Sequence, residues 1–269
     1  MKGLTYDAGA VAYDRFTGCW SFLFRSTLVA TAKVGGGQTV LEVAAGTGGL
    51  AELAASHVGA SGRVIAADIS LPMLRVARSK IAGLPVSAVV MDGQELACRD
   101  RSFDAVICQF GLMFFPDVRR GLQEFRRVLR RPGRLAVQVW SSPERAPFFG
   151  TLADALSRYF PDQRQLLYAP AALADPTHLE QLLTEAGFRD VSVALETREL
   201  AFDSFDQYWS GIEAGGGRLG QFYLQLQDRE RRAVRDEICG RMAQFQSDGR
   251  LVLKAEALIG AGLTDSVCT

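Results

Sequence analysis

The sequence predicts an α/β fold: a seven-stranded, mostly parallel sheet with helices on both faces and a helical lid. Three observations support this prediction. Short runs rich in β-branched residues alternate with helical patterns between residues 39 and 140. A glycine-rich turn follows the first of these runs. Two more strand-like runs come later in the chain, and a long helical, aromatic-rich stretch separates them.

The first half of the chain supplies five of the strands. They are TVLEV (Thr39 to Val43), RVIAAD (Arg63 to Asp68), VSAVVMD (Val86 to Asp92), FDAVICQF (Phe103 to Phe110) and RLAVQVW (Arg134 to Trp140). Helices are predicted from Leu50 and from near Ser70, where Pro72 fits the first helical turn. The helix before the fifth strand should end at Pro132-Gly133. Such alternation predicts a parallel sheet that is covered on both faces.

The alternation breaks after Trp140. Helical patterns follow over residues 148–159 and 178–188, and the last two strands are predicted over 191–200 and 250–260. The chain therefore divides into an N-terminal helical cover at 1–35, a sheet domain at 36–200 and 249–269, and a helical lid insertion at 203–248.

Composition and charge narrow the class of protein. The chain has 269 residues, of which 48% are hydrophobic and 22% charged, as is typical of a soluble globular protein. Thirty basic and thirty acidic residues cancel, so we expect no nucleic-acid partner. No apolar run reaches the roughly 20 residues that span a bilayer, which predicts a cytoplasmic protein without membrane insertion. The five cysteines are scattered and include no C-x-x-C pair, which predicts reduced thiols and no metal site. The oligomeric state is left open, with a homodimer as one possibility.

The glycine turn after the first strand is the most informative segment. In VLEVAAGTGGL (residues 40–50) the glycines allow a ligand to approach the backbone closely. In open α/β sheets ligands bind at the carboxyl ends of the strands, where this turn lies. Gly46, Gly48 and Ala51 also satisfy the dinucleotide pattern G-x-G-x-x-A, and an acidic residue, Asp68, follows about 20 residues later. An oxidoreductase with a dinucleotide cofactor is therefore one alternative.

Two carboxylates favour S-adenosylmethionine over a dinucleotide. Glu42 lies just before the glycines, where a carboxylate suits an amino-acid ammonium group better than a pyrophosphate. Asp92 closes the third strand, where it could accept a hydrogen bond from an adenine amino group. The chain also lacks a second set of βαβ units.

Several segments resemble the class I methyltransferases, and among them the ubiquinone and menaquinone biosynthesis (UbiE-like) group. The segments lie in order across about residues 10–140, and they are YDRFTGCW, LEVAAGTGG, AADISLPML, MDGQEL, SFDAVICQFGLMFFPD and VLRRPGRLAVQVW. The resemblance implies a Rossmann-like sheet, S-adenosylmethionine as cofactor and a small-molecule acceptor. Ala44 departs from the pattern where many relatives have glycine, and Glu42 replaces a common aspartate.

The resemblance also implies a role for each matching position. Glu42, Gly46 and Gly48 would hold the methionine end of the cofactor, and Tyr13 would cover its carboxylate. Asp68 would accept hydrogen bonds from both ribose hydroxyls. The remaining cofactor contacts would be Ile69 on the adenine face, Asp92 and Gly93 at the adenine edge, and Gln109 beside the sulfonium.

Methyl transfer from a sulfonium is an in-line displacement, for which the protein supplies position, cover and a dry pocket. A base is needed only when the acceptor arrives protonated, so no catalytic residue is assigned. Gln109 and His178 are the candidates, and Tyr168 and Tyr208 are further polar groups to test.

Aromatic residues in the second half predict a hydrophobic or aromatic acceptor, although most of them should be core. They are Phe148, Phe149, Tyr159, Phe160, Tyr168, Phe202, Phe205, Tyr208, Trp209, Phe222 and Tyr223. The methylated atom (oxygen, nitrogen or carbon) stays open. A protein of this fold with non-methylating chemistry, such as a cyclase or decarboxylase, is a second alternative.

Overall fold

A computed structural model describes residues 6–265 and confirms the mostly parallel sheet. Its strands are β1 (Thr39–Val43), β2 (Arg63–Asp68), β3 (Val86–Val90), β4 (Phe103–Gln109), β5 (Leu129–Trp140), β6 (Arg189–Phe202), β7 (Gln246–Ser247) and β8 (Arg250–Leu263). The order β3-β2-β1-β4-β5-β8-β6 is parallel from β3 to β5, and β8 runs antiparallel to both of its neighbours. The two-residue β7, which the sequence analysis did not predict, pairs with the start of β8.

Helices surround this sheet. They are α1 (Thr17–Thr31), α2 (Gly49–Val58), α3 (Leu71–Lys80), α4 (Val118–Val128), α5 (Pro147–Ser157), α6 (Arg164–Leu167), α7 (Pro176–Glu185), α8 (Phe205–Glu213), α9 (Gly217–Tyr223) and α10 (Asp228–Met242). Ser70 caps α3 by accepting a hydrogen bond from the Met73 amide, as expected of a serine before a helix. No helix within residues 6–265 is both long and apolar enough to cross a membrane.

Two hydrophobic clusters cover the two faces of the sheet. Alternate residues of β4 show the division: Ala105 and Ile107 belong to the smaller cluster, whereas Val106 and Cys108 belong to the larger one. A strand buried on both faces lacks a polar side, which explains why FDAVICQ reads as a continuous apolar run.

The connection from α4 to β5 differs from the prediction. We expected the helix to continue to Pro132-Gly133, but α4 ends at Val128 and β5 begins at once. Leu129 already pairs with Phe103 of β4, and the amide of Ser102 donates to the Val128 carbonyl. Strand pairing therefore ends the helix before the proline is reached.

The last two strands are longer than predicted and pair with each other from Arg189–Leu263 to Phe202–Leu251. The chain between them forms α8, α9 and α10. Residues 1–5 and 266–269, which belong to the predicted cover and sheet domain, lie outside the described residues. The four cysteines within the described part of the chain are free, and Cys268 lies beyond it.

Candidate active site

The site lies at the carboxyl ends of β1 and β4. The chain moves outward from β1 to β2 and β3, and later from β4 to β5 on the other side, so a crevice forms between β1 and β4. Both strands end on non-glycine residues with left-handed backbone, Ala44 at φ 58° and Phe110 at φ 51°. Such conformations are costly for residues that carry a Cβ and are concentrated at functional sites.

The glycine turn is attached to the next strand through Asp68. The Gly46 amide donates to one carboxylate oxygen at 2.7 Å, and the Ser70 amide donates to the other at 2.8 Å. Asp68 is largely buried, and this desolvation raises the pKa of its carboxyl group although both hydrogen bonds lower it. Next to it, Ile69 is 70% exposed on the cavity wall, so an apolar surface is available there to a flat ligand.

The glycines of the turn serve different purposes. A Cβ added at Gly46 (φ 53°) would meet no protein atom within 4 Å, and Gly46 lines the cavities. A Cβ at Gly48 (φ 80°) would lie 2.8 Å from the Ala77 Cβ of α3. Gly48 lines neither cavity and packs the turn against α3, so its implied contact with the methionine end of a cofactor stays a prediction.

Glu42 is the most unusual charged group of the site. It is 2% exposed, and its Oε2 has no hydrogen-bond partner within residues 6–265. Burial, together with the nearby Asp68, holds the pKa of the Glu42 carboxyl well above its usual range. An unpartnered buried acceptor beside a cavity fits a cationic donor such as the ammonium of an amino acid.

Two adjoining cavities meet at the crevice. One, of about 600 Å³, includes Glu42 in its wall, and the other, of about 330 Å³, includes Asp68, Ile69, Asp92 and Gly93. Both walls share four residues, which are Tyr13, Ala44, Gly46 and Gln109. An elongated ligand such as S-adenosylmethionine fits this arrangement, with its amino-acid end beside Glu42 and its nucleoside end beside Asp68.

The third strand adds Asp92 and Gly93. One oxygen of Asp92 accepts from the amide of Gln94 at 2.8 Å and from the Gln94 side chain at 3.3 Å. A side chain at Gly93 would overlap the rings and methyls of Phe115 and Val43, so close packing as well as ligand access requires glycine there.

Gln109 is held where the cavities join. Its Nε2 donates to the Ser21 carbonyl at 3.1 Å and to Gln138 Oε1 at 2.9 Å. A backbone carbonyl only accepts, so these bonds fix the orientation of the amide. The Gln109 carbonyl oxygen has no hydrogen-bond partner in the described chain, which leaves it available at the junction.

The N-terminal segment crosses the cleft and is bonded to its far side. Asp7 accepts from the Ser70 hydroxyl at 2.5 Å, and Asp14 accepts from Thr47 at 2.7 Å and from Lys80 at 2.6 Å. The sequence analysis missed these polar residues. The only available signal was that Asp14 lies within the YDRFTGCW motif and Asp7 shortly before it, since isolated acidic residues are common.

Tyr13 belongs to this segment, although it lies in a short 3₁₀ helix (Tyr13–Arg15) before α1 and not in a longer helix. Burial raises the pKa of its hydroxyl group to about 12, so the phenol stays protonated at neutral pH.

Three further candidates lie away from the reacting centre. His178 is an exposed residue in the first turn of α7 and lines neither cavity. Tyr208 is buried and donates to the Phe148 carbonyl at 2.8 Å, and the Tyr168 hydroxyl bonds to Asp154. His178 stays a prediction as a catalytic candidate, and α7, which carries it, packs on β6 and β8. No cluster of three or more potential metal ligands occurs between residues 6 and 265.

The cavity walls are strongly aromatic, but only two of the eleven aromatic residues singled out from the second half, Phe148 and Phe149, take part. The others pack mainly against one another or other core groups, as the Phe205–Trp209 stack shows. The remaining aromatic wall comes from the N-terminal segment and from strand ends: Tyr6, Tyr13, Phe16, Phe110, Phe114, Phe115 and Trp140.

Comparisons with known proteins bear on the family. Residues 40–133 match a family described as a methyltransferase domain. The demethylmenaquinone methyltransferase of Lactobacillus johnsonii is 31% identical over 175 residues, which are 60% of this chain and 72% of that protein. The ubiquinone/menaquinone biosynthesis C-methyltransferase UbiE of Hahella chejuensis is 35% identical over 51% of this chain and 59% of its own length.

The fold has solved counterparts. A crystal structure described as a methyltransferase, from Bacillus halodurans, superposes with a TM-score of 0.61 at 22% identity, covering 90% of this chain and 99% of the other. That structure shows the fold, and the family is shown by the relatives in sequence. The chain belongs to the UbiE-like class I methyltransferases and is an enzyme that uses S-adenosylmethionine.

Proposed function

We propose that this enzyme methylates an electron-rich, hydroxylated aromatic small molecule, and that a ring carbon receives the methyl group. The aromatic wall of the 330 Å³ cavity carries this proposal, because it offers stacking surfaces beside the cofactor cleft. The names of the two relatives, a demethylmenaquinone methyltransferase and a C-methyltransferase, favour carbon over oxygen or nitrogen.

The residues would divide the work along the crevice. Glu42 would accept hydrogen bonds from the cofactor's ammonium group, and Asp68 would accept from its ribose hydroxyls. Ile69 would lie against the adenine and Asp92 with the Gly93 backbone at its edge. Tyr13 would close the cleft from the N-terminal side. We further propose that residues 203–248 act as the lid over this domain.

Bound S-adenosylmethionine supplies a methyl group activated by its positively charged sulfur. The chain's own contribution is position and exclusion of water. The fixed carbonyl oxygen of Gln109 would orient the neighbouring cationic centre by electrostatic attraction. No histidine of the described chain lines either cavity. The acceptor's proton would leave to solvent, to a carboxylate of the wall or to a group of the acceptor itself.

Calorimetric titration tests the cofactor site first. S-adenosylhomocysteine should bind the wild type with micromolar affinity, whereas Asp68→Ala should lose most of it, and NADH should not bind. Mass spectrometry of reduced naphthoquinones incubated with labelled S-adenosylmethionine then tests transfer to carbon. Tight NADH binding would restore the oxidoreductase alternative. Cofactor binding without methyl transfer to any aromatic acceptor would favour a cyclase or decarboxylase.

A further inference from the structure

One cation in the aromatic cavity has no counter-ion. Arg218, on α9, lines the 330 Å³ cavity, and its guanidinium carbon lies 4.9 Å from the ring centre of Phe114 and 5.9 Å from that of Tyr6. Its Nε is buried without a hydrogen-bond partner, and no carboxylate among residues 6–265 forms an ion pair with it. A buried polar group left unpaired costs free energy, so this arrangement needs an explanation.

Three carboxylates, Asp7, Asp68 and Asp92, line the same wall, but none of them forms an ion pair with Arg218 in the described chain. Asp7 accepts from Ser70, Asp68 accepts from two amides, and Asp92 accepts from Gln94. Arg218 is also the only arginine or lysine of the described chain in this cavity wall. The wall therefore presents one free guanidinium among aromatic rings.

The cofactor's own carboxylate is not the expected partner either. The amino-acid end belongs to the 600 Å³ cavity, whose wall includes Glu42, Arg25 and Lys80 but not Arg218. The guanidinium instead lines the 330 Å³ cavity beside Phe114, where we place the acceptor.

We infer that the acceptor is an aromatic carboxylate whose anionic group binds Arg218 while its ring lies against the aromatic wall. A planar guanidinium matches a carboxylate through two parallel hydrogen bonds. A single cation suits a monoanion, whereas a phosphate dianion would need further positive charge. This inference rests on the proposed function, because it names the class of acceptor for the same site.

The test compares two isosteric probes on protein saturated with S-adenosylhomocysteine. 1-Hydroxy-2-naphthoate should bind the wild type about tenfold or more tightly than 1-hydroxy-2-naphthamide, which lacks the charge, in line with hydrogen bonds to charged groups. Equal affinity for the two probes, or binding of neither, would overturn the inference. This comparison uses only the wild-type protein, so it does not depend on whether a variant folds.

Substitutions test whether Arg218 causes the preference for the carboxylate probe. Arg218→Gln should remove the preference for the carboxylate, Arg218→Lys should retain part of it, and the exposed control Arg229→Gln should leave it unchanged. The affinity for S-adenosylhomocysteine should stay within about twofold in all three, which also shows that they fold. If Arg218→Gln instead weakened the cofactor and kept the preference, Arg218 would belong to the cofactor site and the inference would fail. If the wild type itself did not bind S-adenosylhomocysteine, the proposed function would fail, and this outcome is distinct from a failure of the inference alone.

Discussion

At the scale of single residues, the site concentrates unfavourable features, as functional sites commonly do. Glu42 is a buried carboxyl group with an unpartnered oxygen, and Ala44 holds a backbone conformation that favours glycine. The sequence analysis found Glu42 and Asp68 because acidic residues at the ends of apolar strands are conspicuous. It could not separate the purposes of Gly46 and Gly48, since that difference depends on the position of α3.

Replacing Glu42 by glutamine should change stability and binding in opposite directions. The raised pKa means that the folded chain keeps a proton which the unfolded chain releases. The contribution of this proton to the free energy of unfolding is fully present below the ordinary pKa of glutamate. It is lost as the pH rises through the raised pKa of the folded state. Glu42→Gln should therefore unfold at a higher temperature than the wild type at pH 8, with the difference vanishing near pH 4.

The same substitution should weaken S-adenosylhomocysteine about tenfold or more, since an ammonium loses a charged acceptor. Glu180→Gln, in which the replaced group is exposed on α7 and lines neither cavity, is the control and should alter neither property. An unchanged affinity in Glu42→Gln would contradict the assigned role.

Alanine at the two glycines should separate packing from ligand access. Gly46→Ala should cost about 1 kcal/mol of unfolding free energy, from its left-handed backbone alone, yet severely weaken cofactor binding. Gly48→Ala should cost about 3 kcal/mol, because its Cβ also meets Ala77. Chemical denaturation and calorimetry on the same samples measure both quantities. Equal losses of unfolding free energy in the two variants would contradict the packing role assigned to Gly48 alone.

At the scale of elements, most strands and helices from residue 39 to 140 could be predicted, because short β-branched apolar runs alternate with segments of helical spacing. The early end of α4 could not, since it depends on pairing between Leu129 and Phe103. Nor could the attachment of the N-terminal segment, because Asp14 meets Thr47 and Lys80 only in the folded chain.

Cutting this attachment should speed the release of the cofactor. Asp14→Ala removes bonds from Thr47 and Lys80, so the segment that carries Tyr13 should open more often. We expect the dissociation rate of S-adenosylhomocysteine to rise about fivefold, which corresponds to about 1 kcal/mol. Stopped-flow displacement measures this rate, with Asp100→Ala as a control for a surface ion pair. A rate equal to that of the wild type would mean that the segment does not retain the ligand.

At the scale of the whole molecule, cofactor binding should stabilise the fold because the crevice joins the glycine turn, three strand ends and the N-terminal segment. S-adenosylhomocysteine at 100 times its Kd should add about 2.7 kcal/mol to the free energy of unfolding. For a chain of this size, that raises Tm by about 5–10 °C in differential scanning fluorimetry. NADH at the same concentration should produce no shift, and a comparable shift would argue for a dinucleotide site.

The pairing of β6 with β8 has a consequence for how this enzyme could change its substrate. Phe202 and Leu251 are direct partners in the ladder, so the ends of the intervening segment are fixed side by side without any help from the segment itself. Each doubling in the length of such a connection adds only about 0.6 kcal/mol of closure entropy. Evolution can thus lengthen, shorten or rewrite the stretch that carries Arg218 at little thermodynamic cost, while the strands that form the cofactor crevice keep their register.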